Sequence, residues 1–421
     1  MPRPATLARR LGMTDAVVIG LSSMIGAGVF AAFAPAAAAA GSGLLIGLAL
    51  AAVVAYGNAA SSAQLAARHP TSGGAYVYGR ERLGPWWGFL AGWGFVIGKT
   101  ASCAAMALTV AAYALPGGGV AQRVVAIVAV LALTAVNLRG ISRTAGTARW
   151  LVGGSLTALA VVVGVVLVSG RADPANLAVT QLPGGPYGVL QAAGLLFFAF
   201  AGYARIATLG EEVRDPERTI PRAIPMALGI TVAVYLAVGA AALAALGPAA
   251  LASSSAPLAS AVGAVGGAWA EPVVRAGAVV ASLGSLLALI AGVGRTTLAM
   301  AREGDLPRTF AAVEPRRSVP HHAELAVAAA VVVLVALVDL RGAIGFSSFG
   351  VLTYYAVANA AALTLSAEER RWPRGVSVIG LVGCVVLVAT LPLEAVLAGI
   401  AMFAIGVLVR QAFASLAAGG D

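Results

Sequence analysis

Charge is what this chain has least of: 10% of its 421 residues are Asp, Glu, Lys or Arg, while 60% are hydrophobic. Soluble domains carry about 25% charged residues, so the shortage excludes an ordinary soluble globule. Lysine is all but missing, with Lys99 the single one among 27 basic residues. The two cysteines, Cys103 and Cys384, lie in apolar runs distant in sequence, which argues against a disulfide and against a metal set. Three histidines, His69, His321 and His322, fall between apolar runs and are read as solvated loop residues. A net charge of +10 would suit a nucleic-acid binder, but no basic patch with interleaved aromatics exists. The arginines sit in short loops instead, where they set membrane topology. No phosphate-cradling loop, catalytic triad or metal set emerges, so neither an enzyme nor a cofactor is expected.

What the chain does have is apolar length. A hydrocarbon core of roughly 30 Å takes about 20 apolar residues per helix. Runs between charged or Pro/Gly-rich breaks give twelve expected spans: 15–39, 43–66, 86–114, 121–138, 150–169, 188–209, 222–247, 272–301, 322–339, 345–365, 376–391 and 394–414. The split of the last two rests on Pro392 and Glu394. The first run is too long for the core of a cleaved signal peptide, and equal runs follow it. With the N-terminus inside, 21 basic residues fall on the inner side and 4 on the outer. That asymmetry predicts a multi-pass protein of the cell membrane with both termini cytoplasmic. The expected fold is an all-α integral membrane protein of about 12 transmembrane helices.

Two spans are weakened in the middle. Residues 22–30 of the first read SSMIGAGVF, with Gly26, Ala27 and Gly28 in a row, and the sixth carries FFAFAGYA around Gly202. Glycine is a poor helix former, and non-helical backbone at membrane depth survives only where it is buried or lines a cavity. The sixth span enters from the opposite side to the first, so the two interruptions occupy matching places in halves of opposite orientation. Such a pair is the sequence signature of a transporter site between inverted repeats. An unwound segment offers free N–H groups to an anion and free carbonyls to an ammonium. An α-amino acid presents both groups on one carbon. For either segment alone, close helix packing accounts for the glycines equally well.

Lys99 lies mid-span in FVIGKTASCAAM. A buried lysine can lose its proton near neutrality and an arginine cannot, and ionisable groups inside a membrane are functional hypotheses by default. No Asp or Glu sits mid-span, so Lys99 is the best candidate for a side chain that couples protons. Two other readings stand: an ammonium standing in for a cation between helices, or a structural donor to the carbonyls of a broken helix. Ser282 and Ser285 in the eighth span could face a cation site, although serines are also common packing residues in membranes. Thr219 and Pro221 read as the start of the seventh span. Residues 252–272 read as an external connection with a short lid helix.

IGLSSMIGAGVF, HPTSGGAYVYGRERLGPWWGFLAGW, FFAFAGYARIATLGEEVRDPERTIPRAI and GRTTLAMAREGDLP together resemble the amino acid–polyamine–organocation permease superfamily. The likeness covers the first ten spans in order; the last two match only in being hydrophobic. The resemblance implies two inverted five-helix repeats, a LeuT-like 5+5 arrangement with the first and sixth helices broken. It sets a transporter core at 1–365 apart from two peripheral helices and a short tail at 366–421. By the same resemblance, the substrate-binding set is Met24, Ile25, Gly26, Ala27 and Gly28 with Phe198, Ala199, Ala201, Gly202 and Tyr203. N–H groups near Ala27 and Gly28 would take a carboxylate, and carbonyls near Met24, Phe198 and Ala201 an ammonium, with Phe198 as an aromatic gate. The segments from Pro70 to Pro85 and from Glu211 to Arg222 would gate and pack the cytoplasmic side. Relatives often follow the aromatic after Gly202 with an acid; here Tyr203 is followed by Ala204 and Arg205, the latter expected to snorkel or pair with Glu211 or Glu212, with a ligand for an anionic substrate as the alternative. Some proton-coupled relatives carry a lysine in the fifth helix, and this chain has none there.

The expectation is secondary transport of an amino acid, with a neutral substrate and uptake preferred, and a proton as the candidate coupling partner. An amino acid/amine antiporter and a permease-like sensor are the alternatives. Which amino acid, and the oligomeric state, are not legible.

Overall fold

The computed structural model describes residues 11–69, 73–140, 145–179, 182–207, 212–314, 317 and 319–418. Apart from connections and two isolated bridges these residues are helical, for the reason that composition demands: in lipid every backbone N–H and C=O must be satisfied within the segment. The first expected span is three pieces, α1 (Met13–Met24), α2 (Ala27–Ala31) and α3 (Phe33–Ala40). Then follow α4 (Leu44–Arg68), a short α5 (Ala75–Leu83), α6 (Pro85–Ala114), α7 (Val120–Leu138) and α8 (Ala145–Val168). The sixth span is α9 (Gly185–Phe200), a 3₁₀ turn at Ala201–Tyr203 and α10 (Ala204–Ala207). Next come α11 (Pro216–Ser253), α12 (Pro257–Ala264) and α13 (Glu271–Arg302). The chain ends with α14 (His321–Leu337), α15 (Leu340–Leu363), α16 (Arg374–Thr390) and α17 (Leu393–Ala418).

Ten helical stretches among the described residues are long and apolar enough to cross a membrane. α14 and α16, at 17 residues each, are shorter apolar helices; at 1.5 Å per residue each reaches about 25 Å. α6 is the most enclosed of the long helices, whereas α7 and α17 turn most of their surface outward. Small residues set the depth of the α6–α15 crossing: a Cβ at Gly94 would lie 2.8 Å from the Gly350 carbonyl, and one at Gly98 3.0 Å from that of Ser347.

Two polar junctions close the ends. At the arginine-rich end Asp305, 2% exposed, accepts from Tyr76 Oη at 2.9 Å, Arg80 Nη1 at 2.9 Å and Arg410 Nε at 2.8 Å. The Arg410 guanidinium also covers the rings of Trp86 and Phe89, which ties α17 to α5, α6 and the end of α13. At the other end, Tyr113 of α6 donates to the Phe30 carbonyl at 2.9 Å and accepts from Leu258 N–H at 3.2 Å. The short helix α12, expected as a lid, is thereby fastened to the first span.

Several local expectations change. The seventh span begins at Pro216, a first-turn proline, so Pro221 lies inside the helix, and Thr219 Oγ1 donates to the Arg214 carbonyl at 2.8 Å. The histidines are not free loop residues: His69 Nδ1 lies 2.6 Å from Glu81 Oε2, and His321 and His322 open α14. Pro70 and Glu211, the starts of the two expected gating segments, lie outside the described residues.

Candidate functional site

The first break follows from Gly26. α1 stops at Met24; Ile25 turns to φ −80°, ψ 60°, and Gly26 to φ −115°, ψ −141° before α2 starts at Ala27. Gly26 N–H bonds back only two residues, to the Met24 carbonyl at 2.8 Å. The first N–H groups of α2, from Ala27 and Gly28 onward, have no acceptor within their own helix, as at any helix start. In the sixth span the α-helix tightens into its 3₁₀ turn at Ala201–Tyr203.

The two breaks cross each other. A Cβ on Gly28 would stand 2.6 Å from Ala199 Cα, and one on Gly202 would stand 2.2 Å from the Ser23 carbonyl oxygen and 2.6 Å from Met24 N. Backbone therefore meets backbone, and the ten expected substrate residues form two short strips laid across one another. Nine of them are buried, and Gly202 is half-buried. Phe198 flanks the crossing in α9 and is 8% exposed.

Two tyrosines that the sequence reading did not single out hold the carbonyls here, beside Lys99. Tyr235 of α11 places its hydroxyl 2.6 Å from the Met24 carbonyl and 3.0 Å from that of Ala199, one oxygen from each broken span. With one proton to give, it serves one carbonyl at a time. Tyr355 of α15 donates to the Ala201 carbonyl at 3.3 Å, and Lys99 Nζ of α6 donates to the same oxygen at 3.3 Å. Tyrosine carries a hydroxyl that needs a partner when buried, and that was the available signal. Both tyrosines are almost fully enclosed.

Lys99 is 8% exposed and forms no ion pair among the described residues. Ser285 Oγ faces the first break, 2.2 Å from where a Cβ on Gly26 would lie. The hydroxyls of Ser282 and Ser285 are buried without a hydrogen-bond partner among the described residues. Lys99 thus reaches the break of the sixth span and Ser285 that of the first. Arg205 follows in α10, exposed, with Glu212 nearby; Glu211 lies outside the described residues. No group of three His, Cys, Asp or Glu that could hold a metal occurs among the described residues.

The arrangement offers N–H donors from one broken helix, carbonyl acceptors from both, and a cation on the second. Amino acid permeases match this chain over residues 11–410. An uncharacterized transporter of Mycobacterium tuberculosis is 63% identical over 404 residues, covering 96% of this chain and 91% of that protein. A branched-chain amino acid permease of Bacillus subtilis is 26% identical over 390 residues, 88% of this chain and 83% of the relative. The vacuolar cationic amino acid transporter 4 of Arabidopsis thaliana is 28% identical over 387 residues, 86% of this chain and 64% of the relative. With crossed helix breaks inside an all-helical bundle and a family match along almost its whole length, this chain belongs to the amino acid permease family of membrane transporters.

Proposed function

We propose that the chain takes up a neutral amino acid across the cell membrane by alternating access, with protons coupled through Lys99 and both termini in the cytoplasm. The observation that carries this reading is the crossing itself, with Gly28 against Ala199 and Gly202 against Ser23. The substrate carboxylate takes the first N–H groups of α2. Its ammonium takes over the carbonyls of Met24 and Ala199 that Tyr235 holds in this state, while Lys99 and Tyr355 keep that of Ala201.

Neutrality of the substrate follows from the acids. None occurs between Asp15 and Glu81, between Glu81 and Asp173, or between Asp173 and Glu211. Among the described residues the buried carboxylates Asp305 and Glu324 sit at ends of helices, beyond α13 and in the first turn of α14. A cationic side chain therefore finds no counter-charge beside the breaks.

Coupling follows from linkage. The Lys99 ammonium bonds a carbonyl at the C-terminal, negative end of α9, so protonation favours this shape of the sixth span. A substrate that favours the same shape binds better when Lys99 is protonated, and reciprocity requires the converse. Substrate and proton then travel together.

Purified protein screened by thermal shift against the twenty amino acids and common amines tests the reading, because a ligand of the folded state raises apparent stability. Small neutral or branched amino acids are expected to raise the melting temperature, and the same compounds to enter proteoliposomes. Stabilisation by amines alone, or uptake only in exchange for internal substrate, would replace uptake with the antiporter. Binding without any flux would leave a sensor.

A further inference from the structure

A buried polar cluster lies behind the break in the sixth span. Asn58 of α4, Asn359 of α15 and Cys384 of α16 are each 0% exposed. Asn359 Nδ2 uses both its protons, one to Asn58 Oδ1 at 2.6 Å and one to the Tyr355 carbonyl at 2.8 Å. Asn58 Oδ1 accepts twice, from Asn359 and from Cys384 Sγ at 3.3 Å. The cluster meets the break at two points. The Tyr355 hydroxyl reaches the Ala201 carbonyl, and the Tyr203 hydroxyl lies beside Tyr355 and Asn58, with the two tyrosine rings 5.0 Å apart.

α16 is pressed against this group. A Cβ on Gly380 would lie 2.4 Å from Asn359 Oδ1, and one on Gly57 would lie 2.8 Å from Gly380 Cα. One turn further along α4, Ser61 and Ser377 share a hydrogen bond of 2.9 Å. An apolar seam would serve two helices that only needed to pack in a membrane. A polar one bonded through Asn359 Nδ2 and Asn58 Oδ1 restricts the geometry, because a misplaced partner would leave further buried groups unpaired beside Asn58 Nδ2 and Asn359 Oδ1, which have no partner among the described residues.

We propose that Asn58 and Asn359 are positioning residues for the break at Ala201–Tyr203, acting through Tyr355, and that α16 is a working part of the transporter because it closes their cluster. This rests on the reading of the break as part of the substrate site. Asn359 sets the Tyr355 backbone; Tyr355 then sets the Ala201 carbonyl that Lys99 shares.

Hydrogen–deuterium exchange of residues 198–207 reads the position of the break with no substrate present. Asn359→Ala and Tyr355→Phe are each expected to speed exchange there about tenfold, the equivalent of roughly 1.4 kcal/mol, and to leave α6 and α13 unchanged. The double variant should be no faster than the faster single one, since both changes cut one chain of contacts. Leucine uptake by proteoliposomes should show the same pattern in half-saturation, with maximal rate little altered. If Asn359→Ala does not purify, Asn359→Ser replaces it; its hydroxyl satisfies a local helix carbonyl but is too short to reach Asn58. Unchanged exchange at 198–207, a rise spread evenly over the helices, or effects that multiply in the double variant would overturn the proposal. Should the wild type move none of the neutral amino acids, the functional reading is at fault and the exchange result still decides this one.

Discussion

Gly28→Ala adds one methyl group at the crossing of the two breaks. Its carbon would lie 2.6 Å from Ala199 Cα and 2.8 Å from Ala199 Cβ. Carbon atoms rest at about 3.5–4.0 Å, so the helices must part by about 1 Å. Neither obstructing atom can rotate away, because one is backbone and the other is fixed to it. Overpacking of this kind costs about 1–3 kcal/mol. If that cost falls on the substrate-holding shape, half-saturation rises about 5- to 150-fold. The internal control is Gly26→Ala, whose methyl meets Ser285 Oγ at 2.2 Å and Ser285 Cβ at 3.1 Å. That hydroxyl can swing aside, so the effect is smaller, and adding Ser285→Ala should reverse much of it. The assay is the half-saturation of amino-acid uptake in proteoliposomes, with melting temperature measured alongside. Wild-type half-saturation in Gly28→Ala, or a Gly26→Ala variant equally damaged and not rescued, would refute the crossing as the site.

Other outcomes follow from single contacts. Tyr235→Phe leaves the Met24 and Ala199 carbonyls without their shared donor, and a buried unsatisfied group costs about 1–3 kcal/mol; a lower melting temperature and a slower maximal rate are expected, and an unchanged rate would count against a role at the breaks. Asp305→Asn removes the charge that Arg80 and Arg410 share; breaking a buried pair costs about 3–5 kcal/mol, toward the lower end here because both arginines are partly exposed, and a thermal melt unchanged from wild type would contradict it. Arg82, bonded to Glu369 through Nη2 at 2.9 Å, holds that carboxyl down at about 2, with help from the Ser366 N–H. A depressed carboxyl stabilises above its unfolded value and loses this only as pH falls toward 2. The melting-temperature gap between wild type and Glu369→Gln should therefore stay constant from pH 7 to about pH 5, and a gap that closes in that window would be evidence against the pair.

Ten of the twelve expected spans, and both breaks, were legible in the sequence because their causes are local. Apolar runs specify helices in lipid, Gly28 and Gly202 mark where backbone must approach backbone, and Gly26 marks where the Ser285 side chain approaches the first break. Lys99 was visible as the lone lysine, but its acceptor at Ala201 was not. The remaining machinery depends on contacts between residues far apart: Tyr235 and Met24 are separated by 211 positions, Tyr355 and Ala201 by 154, Asn359 and Asn58 by 301. A tyrosine or asparagine in an apolar run announces that it needs a partner without saying which. Local signals also misled where two starts competed, as with Pro216 and Pro221, since either proline suits a first turn and only the fold selects the earlier one. The last two spans resembled nothing specific in sequence, yet α16 contributes Cys384 and α17 contributes Arg410 to buried polar junctions.

The central claim is that an amino acid held across the crossed breaks moves with a proton governed by Lys99. Uptake of radiolabelled leucine into proteoliposomes, with the outside made acidic, tests it directly. Wild-type protein should accumulate leucine above its external concentration, and Lys99→Met should still equilibrate leucine but no longer concentrate it when a pH gradient is imposed. Accumulation in Lys99→Met equal to wild type, or no amino-acid movement by the wild type at all, would contradict the account.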